Sequence, residues 1–342
     1  MKPTKITIPE ELKAELPQSR FGKILSATPV VMAVVATMLA GLASSEMTRA
    51  QYDRSLGAQQ QSKAGDQWSF FQAKRMRGAI QRNTADLLRT VTEVHQFDPA
   101  RVEGFSRQAP AESAPVEALK KEVLEVLQSG PGQQAMVFLS EGAVPKTSGA
   151  PPLDPKIKAA MQGVETSTPD LELAPLVNEV DINSLDAALR SARDQAQEFD
   201  TSTRPINQAI DRLDTVLDKL AVSRQKTASA GSNAAQPDTF AALRRDFTAA
   251  RLQYASLRYE IEAALNQTIA NLYEVQVRKS NISAERHHRR SQRFFFGMLG
   301  AQTGVIISTL AMAAKNRNLL WSIAAAAGLV AVAFALYVFL YV

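Results

Sequence analysis

Three uncharged apolar runs set the strongest limit on what this chain can fold into. Residues 24–43 (ILSATPVVMAVVATMLAGLA), 294–314 (FFFGMLGAQTGVIISTLAMAA) and 319–342 (LLWSIAAAAGLVAVAFALYVFLYV) contain no Asp, Glu, Lys, Arg or His. Twenty residues rise about 30 Å as a helix, enough to cross a hydrocarbon core. In lipid the backbone must satisfy its own hydrogen bonds, so each run is expected to be a helix. Only Lys315-Asn316-Arg317-Asn318 separates the second run from the third. Those two are therefore expected to form an antiparallel helical hairpin. A cleaved signal peptide is the competing reading of the first run, which has a basic flank and the small residues Gly41 and Ala43 near its end. Its length exceeds the usual apolar region of about 7–15 residues and favours a span.

Small residues recur at four-residue spacing in the apolar runs: Ala36, Ala40 and Ser44; Gly300 and Gly304; Ala324 and Gly328. Such positions let helix backbones approach closely, so Gly300, Gly304, Ala324 and Gly328 are candidate helix-packing residues. Transporters and proton pumps usually keep an ionisable residue inside a span, and these spans have none. Trp321, Tyr337 and Tyr341 sit near the ends of the last run, where interfacial aromatics collect.

Charge beside the runs bears on sidedness. The arm 1–23 carries Lys2, Lys5, Lys13, Arg20 and Lys23, and the short turn carries Lys315 and Arg317. Both are inside if the N-terminus is cytoplasmic, which leaves the central region extracytoplasmic. Arg286-His287-His288-Arg289-Arg290-Ser291-Gln292-Arg293 argues the other way, but short loops predict orientation better than long ones. These arginines, Arg286, Arg289, Arg290 and Arg293, are candidate contacts for lipid headgroups. The net charge of +5 over 342 residues is concentrated beside the apolar runs, so nucleic acid is not an expected partner. Cysteine is absent, which excludes disulfides, thiol catalysis and Cys-based metal sites.

The middle of the chain reads as helix. Residues 44–95 lack proline and place Ala73, Met76, Ile80, Leu87, Val91 and Val94 on one stripe, interrupted by Thr84. Residues 238–293 carry a longer repeat of alternating three- and four-residue steps: Phe240, Leu243, Phe247, Ala250, Tyr254, Leu257, Ile261 and Ala264, then Thr268, Leu272 and Val275. At 1.5 Å per residue the two stretches span about 78 and about 84 Å. Their matched lengths predict an antiparallel, coiled-coil-like stalk that joins the membrane segments directly. Residues 181–226 predict a helical hairpin at the stalk tip. One of its stripes runs from Ile182 through Leu185, Leu189, Ala192 and Ala196 to Phe199; the other is Ile206, Ile210, Leu213, Leu217 and Leu220. Thr201–Pro205 is the expected turn. Residues 227–237 (TASAGSNAAQP) read as a linker, and 96–180 as a proline-rich insertion with one short helix from Pro115 to Gln128. Within it, 135–139 (AMVFL) reads as a short strand or a buried turn.

Asp66-Gln67-Trp68-Ser69-Phe70-Phe71-Gln72-Ala73-Lys74-Arg75-Met76-Arg77 lies some twenty residues beyond the first apolar run. Together with Gly300–Ile307 and the basic turn, it resembles a bacterial family known as domain of unknown function 4337. The resemblance covers roughly 24–95 and 240–342, with the middle as a large insertion. It implies a bacterial membrane and this architecture, with no established activity to carry over.

Trp68, Phe71, Gln72 and Lys74 occupy two turns of one helix and are a candidate docking patch. Alternatively, Trp68 and Phe71 fill the core of the helical pair, with Gln72 and Lys74 exposed. Adjacent His287 and His288 point about 100° apart on a helix and cannot share a metal from one face. No phosphate-cradling glycine loop or nucleophile elbow is present. The expected protein is all-α: a multi-pass membrane scaffold of the bacterial inner membrane, homo-oligomeric, in contact with lipid and with another protein at the stalk tip. It is expected to have no cofactor and no catalysis. The alternative is a channel or transport component in which Gln302, Thr303, Ser308 and Thr309 line a path through an oligomer.

Overall fold

A computed structural model describes residues 20–108, 114–147, 149, 152–229, 239–314 and 317–341. Most of the basic arm, residues 315–316 of the short turn, 230–237 of the expected linker and Asp238 lie outside these. The described residues form nine α-helices and no strand. They are α1 (Arg20–Val91), α2 (Pro99–Gln108), α3 (Ala114–Gln128), α4 (Gly130–Glu141), α5 (Pro155–Glu165), α6 (Asp170–Glu179), α7 (Ile182–Ser229), α8 (Thr239–Ala313) and α9 (Arg317–Tyr341). The chain divides into two units, Met1–Gln59 with Val277–Val342, and Gln60–Gln276. Both α1 and α8 contribute to each.

The proline-rich stretch is helical rather than loop, and residues 135–139 lie within α4 instead of a strand. Five of its prolines stand at helix starts, while Pro175 lies inside α6. Pro99 and Pro155 are the first residues of α2 and α5, Pro115 and Pro131 fall in the first turns of α3 and α4, and Pro169 caps α6. At these positions the missing N–H has no intrahelical partner to lose. Side chains complete two of the starts: the Gly132 N–H donates to Ser129 Oγ at 3.1 Å, and the Lys156 N–H to Asp154 Oδ1 at 2.8 Å. Gly142, at φ 61°, ends α4 in the left-handed region.

The expected hairpin at 181–226 is instead one helix, α7, with Pro205 inside it. The hydroxyls of Ser202 and Thr203 donate to the Phe199 carbonyl at 2.9 and 2.8 Å, so local bonds support the turn before the proline. The two apolar stripes are one stripe. Leu185, Leu189, Ala192, Phe199, Thr203, Ile206, Ile210, Leu213, Leu217 and Leu220 are all buried, and steps of three and four continue across Pro205. Ala196 is half-buried, and Ile182, at the start, is exposed.

In the unit Gln60–Gln276, α2, α3, α4, α7 and α8 share a core built around Val102, Val123, Leu139, Leu213, Leu220 and Phe247. Beyond the end of α1, the buried Asp246 carboxylate accepts the His95 N–H and Arg101 Nη1, each at 2.9 Å, and Phe97 packs on Phe247. Here α1 and α8 run antiparallel: Lys74 pairs with Glu262, Arg82 with Glu260, and Arg89 Nη2 donates to Gln253 Oε1 at 2.6 Å.

The face of α1 that meets α8 is not the expected apolar stripe. Ala64, Gly78 and Ala85 are buried, whereas Met76, Ile80, Leu87 and Val91 are 53–66 % exposed. A Cβ on Gly78 would stand 3.3 Å from Tyr259 Cβ and 3.5 Å from the Ser256 carbonyl oxygen. Backbones this close admit only the thinnest residues. In α8 the expected seam also drifts, and Ala264 is exposed while Ala263 is buried. With α1 on one side and α7 ion-paired on another (Asp214–Arg251, 2.9 Å), α8 has no single buried face.

Candidate functional site

The unit formed by the described residues of Met1–Gln59 and Val277–Val342 holds the three apolar runs as α1, α8 and α9. Each helix is long and apolar enough to cross a membrane. Helix α8 runs antiparallel to both others. Gly57 of α1 lies against Ser280 and Asn281, Ala43 against Ser291, and Leu39 against Gly297. Gly297 and Gly300 of α8 face Phe334 and Ala331 of α9.

Glycines and one methionine set the fit. The thioether of Met32 fills the notch between Gly304 and Gly328; a Cβ on Gly304 would collide with Met32 Cε, and one on Gly328 would lie 2.7 Å from it. The Gly304 position is also 3.4 Å from the Ala324 carbonyl oxygen, and Ala324 is fully buried. Gly300, Gly304, Ala324 and Gly328 thus lie along one packed seam. Met32 is the partner that four-residue spacing does not reveal, because methionine carries no packing signature in an apolar run. The start of α9 meets α1 through Trp321 Nε1, which donates to Thr28 Oγ1 at 2.8 Å. Near the other end of that helix, Tyr337 and Tyr341 stack outward with centroids 5.6 Å apart.

A polar belt follows directly beyond the apolar run of α8. At about 100° per residue, Arg286, Arg289, Arg290 and Arg293 fall on one face of α8, within an arc of about 100°. Arg286 and Arg289 are exposed; Arg290 and Arg293 are half-buried. Arg289 Nε donates to Glu285 Oε1 at 2.9 Å, and that bond holds the Glu285 carboxyl below its ordinary range. His287 turns away from this face toward α1, its Nδ1 2.5 Å from Glu46 Oε2. The Ser291 hydroxyl donates to the Ala43 carbonyl at 2.7 Å. Sequence spacing offers no route to Glu46 and His287, which are 241 positions apart.

The candidate docking patch belongs to the other unit. Trp68 and Phe71 are half-buried and pack edge to face at 5.5 Å. Lys74 is not exposed: it pairs with Glu262 and lies 5.4 Å from the centre of the Tyr259 ring. Of the four, Gln72 alone is fully on the surface. Lys74 is thus part of the α1–α8 contact, while Trp68 and Phe71 pack on one another along α1.

These features define an all-helical protein in which three apolar helices pack through small residues beside a face of four arginines. Residues 21–129 match the family model described as Domain of unknown function (DUF4337). The match takes in residues 96–129, the first part of the expected insertion, so α2 and α3 belong to the matched region. No curated protein and no solved structure matches the chain.

Proposed function

We propose that this chain is a membrane-anchored helical scaffold without catalysis, homo-oligomeric, in the bacterial inner membrane. The supporting observation is the sorting of side chains by size in the apolar unit. Ala36, Ala43, Ala301, Ala311, Ala324 and Ala331 are buried, while Val31, Met38, Phe296, Leu329 and Phe339 face outward. Water would drive the large residues inward; hydrocarbon has no such preference and leaves close packing of small residues to hold helices together. The arginine face next to α8's apolar run suits phosphate headgroups, each basic residue contributing about 1 kcal/mol near an anionic surface. Because α1 and α8 are shared by both units, anchoring one tethers the other. The tethered unit offers helical surface to a protein partner.

A conducting path is less well supported. Ser308 is fully buried and donates to its own helix at the Val305 carbonyl, while Gln302, Thr303 and Thr309 face outward. Among the described residues no line of polar groups runs between the three helices.

The short basic segments favour a cytoplasmic N-terminus with Gln60–Gln276 outside the cytoplasm. The cysteine-free chain allows a direct test. Leu171, 88 % exposed, is changed to Cys and treated with a membrane-impermeant maleimide on intact spheroplasts. Labelling before lysis is expected; labelling only after lysis overturns the orientation. Release of the protein from membranes by alkaline carbonate overturns the anchoring itself.

A further inference from the structure

Gln302 sits in the middle of its apolar run. It is eight residues past Phe294 and eleven before Ala313, about 12 and about 16 Å along the helix. Its side chain is exposed on the outer surface of the three-helix unit, on a face shared with Ile306 and Thr309 within an arc of about 60°. The exposed serine and threonine hydroxyls of the three spans satisfy themselves. Ser26, Thr37, Thr303, Thr309 and Ser322 each donate to a backbone carbonyl of their own helix. The Gln302 amide makes no such bond among the described residues. In the membrane-embedded reading, on which this inference rests, its two donors and its acceptor would stand in hydrocarbon. A glutamine side chain is far too short to reach either interface from that depth.

We propose that Gln302 is the contact point of a homodimer, its amide paired with Gln302 of a second copy across a two-fold axis close to Ile306. A primary amide is self-complementary: each donates an N–H to the other's carbonyl, so one residue type satisfies both sides of an isologous interface. Among the described residues the outer faces of the neighbouring helices supply no comparable amide, and the exposed phenols of Tyr337 and Tyr341 lie near the end of α9. The outer face of α9 carries Leu329, Val330, Val332, Leu336 and Phe339, which suit lipid. A different membrane protein could serve only by bringing its own polar group to this depth, and it would leave two copies of this chain uncrosslinked.

The absence of native cysteine makes the test clean. Ile306→Cys in native membranes, oxidised with copper phenanthroline, is expected to give a disulfide-linked dimer, and Val330→Cys on α9 is expected to give none. Adding Gln302→Leu to Ile306→Cys is expected to lower the dimer fraction about 3- to 30-fold, the range for an interhelical polar contact in lipid. Gln302→Asn, which keeps the amide, is expected to restore part of it. Absence of crosslinking at Ile306→Cys, equal crosslinking at Val330→Cys, or indifference to Gln302→Leu each overturns the interface. Carbonate extraction of the same membranes separates the two failures. A chain retained but not crosslinked defeats the dimer alone, and a chain released defeats the embedding together with it.

Discussion

The two units of this protein bury opposite kinds of side chain. In Gln60–Gln276 the interior is made of large residues, among them Phe199, Phe247, Leu173, Leu213 and Leu272. In the apolar unit alanines and glycines are inside, with only a few larger side chains such as Met32, Leu39 and Phe294 between them. Apolar burial in water contributes about 25 cal/mol per Å², so the first arrangement exploits the solvent. The second gains nothing from hiding large residues and relies on short-range dispersion between closely fitted surfaces. The contrast is what the proposed reading requires, with hydrocarbon around one unit and water around the other. Helix α1 blurs the boundary: its thin face continues past the apolar run through Ala50, Gly57, Ala64, Gly78 and Ala85, so close-contact packing extends into the unit with the large-residue core.

The comparison breaks most visibly at Phe247. It is fully buried in the shared core, against Phe97, and Phe247→Ala is expected to cost about 3–5 kcal/mol. Urea unfolding in mild detergent, read by hydrogen exchange of α3, α4 and α7, measures this; a loss below about 1 kcal/mol would contradict a water-driven core. Adding bulk is the matching test for the apolar unit. Gly304→Val, which drives a side chain into Met32, is expected to cost about 1–3 kcal/mol by overpacking. Met32→Ala in the same chain should recover part of that loss. A double-mutant cycle that gave strictly additive effects would show that the notch does not hold the helices together.

What the sequence reveals follows from the range of each signal. The apolar runs announce their helices because length and absence of charge are local properties. Prolines mislead in both directions: Pro99, Pro131 and Pro155 read as loop markers but are helix starts, and Pro205 reads as a turn although α7 passes through it. The buried stripe across Pro205 is complete only when Thr203 is counted, and a scan for apolar residues skips a threonine. The same bias hides the working face of α1. Spacing of seven is plain at residues 43, 50, 57, 64, 78 and 85, but alanine and glycine carry less hydrophobic weight than Met76, Ile80 and Leu87, which are left exposed. Pairs such as Glu46–His287 and Arg101–Asp246 depend on where the chain returns, and no local pattern encodes that.

Buried polar groups give the comparison its smallest test. In the apolar unit Ser291 and Ser308 are buried and both bond backbone carbonyls. In the other unit the Tyr254 hydroxyl is buried with no hydrogen-bond partner among the described residues, and burial pushes its pKa up to about 12, with Arg258 opposing and Glu262 reinforcing the shift. The raised value favours the protonated phenol in the folded state. Between the ordinary value of 10.0 and about 12, the unfolded chain gives up this proton while the folded chain keeps it, so the phenol's contribution is intact below pH 10 and declines as pH rises through that window. Tyr254→Phe removes both the titration and the unbonded hydroxyl. It should leave stability at pH 7 unchanged or slightly higher, since an orphaned buried donor is costly. The difference in urea midpoint between variant and parent should then widen in the variant's favour from pH 10 upward. A difference that stays flat from pH 7 to 12 would mean that the hydroxyl reaches water, and that this part of the large-residue core is less closed than its neighbours Phe247 and Leu252 indicate.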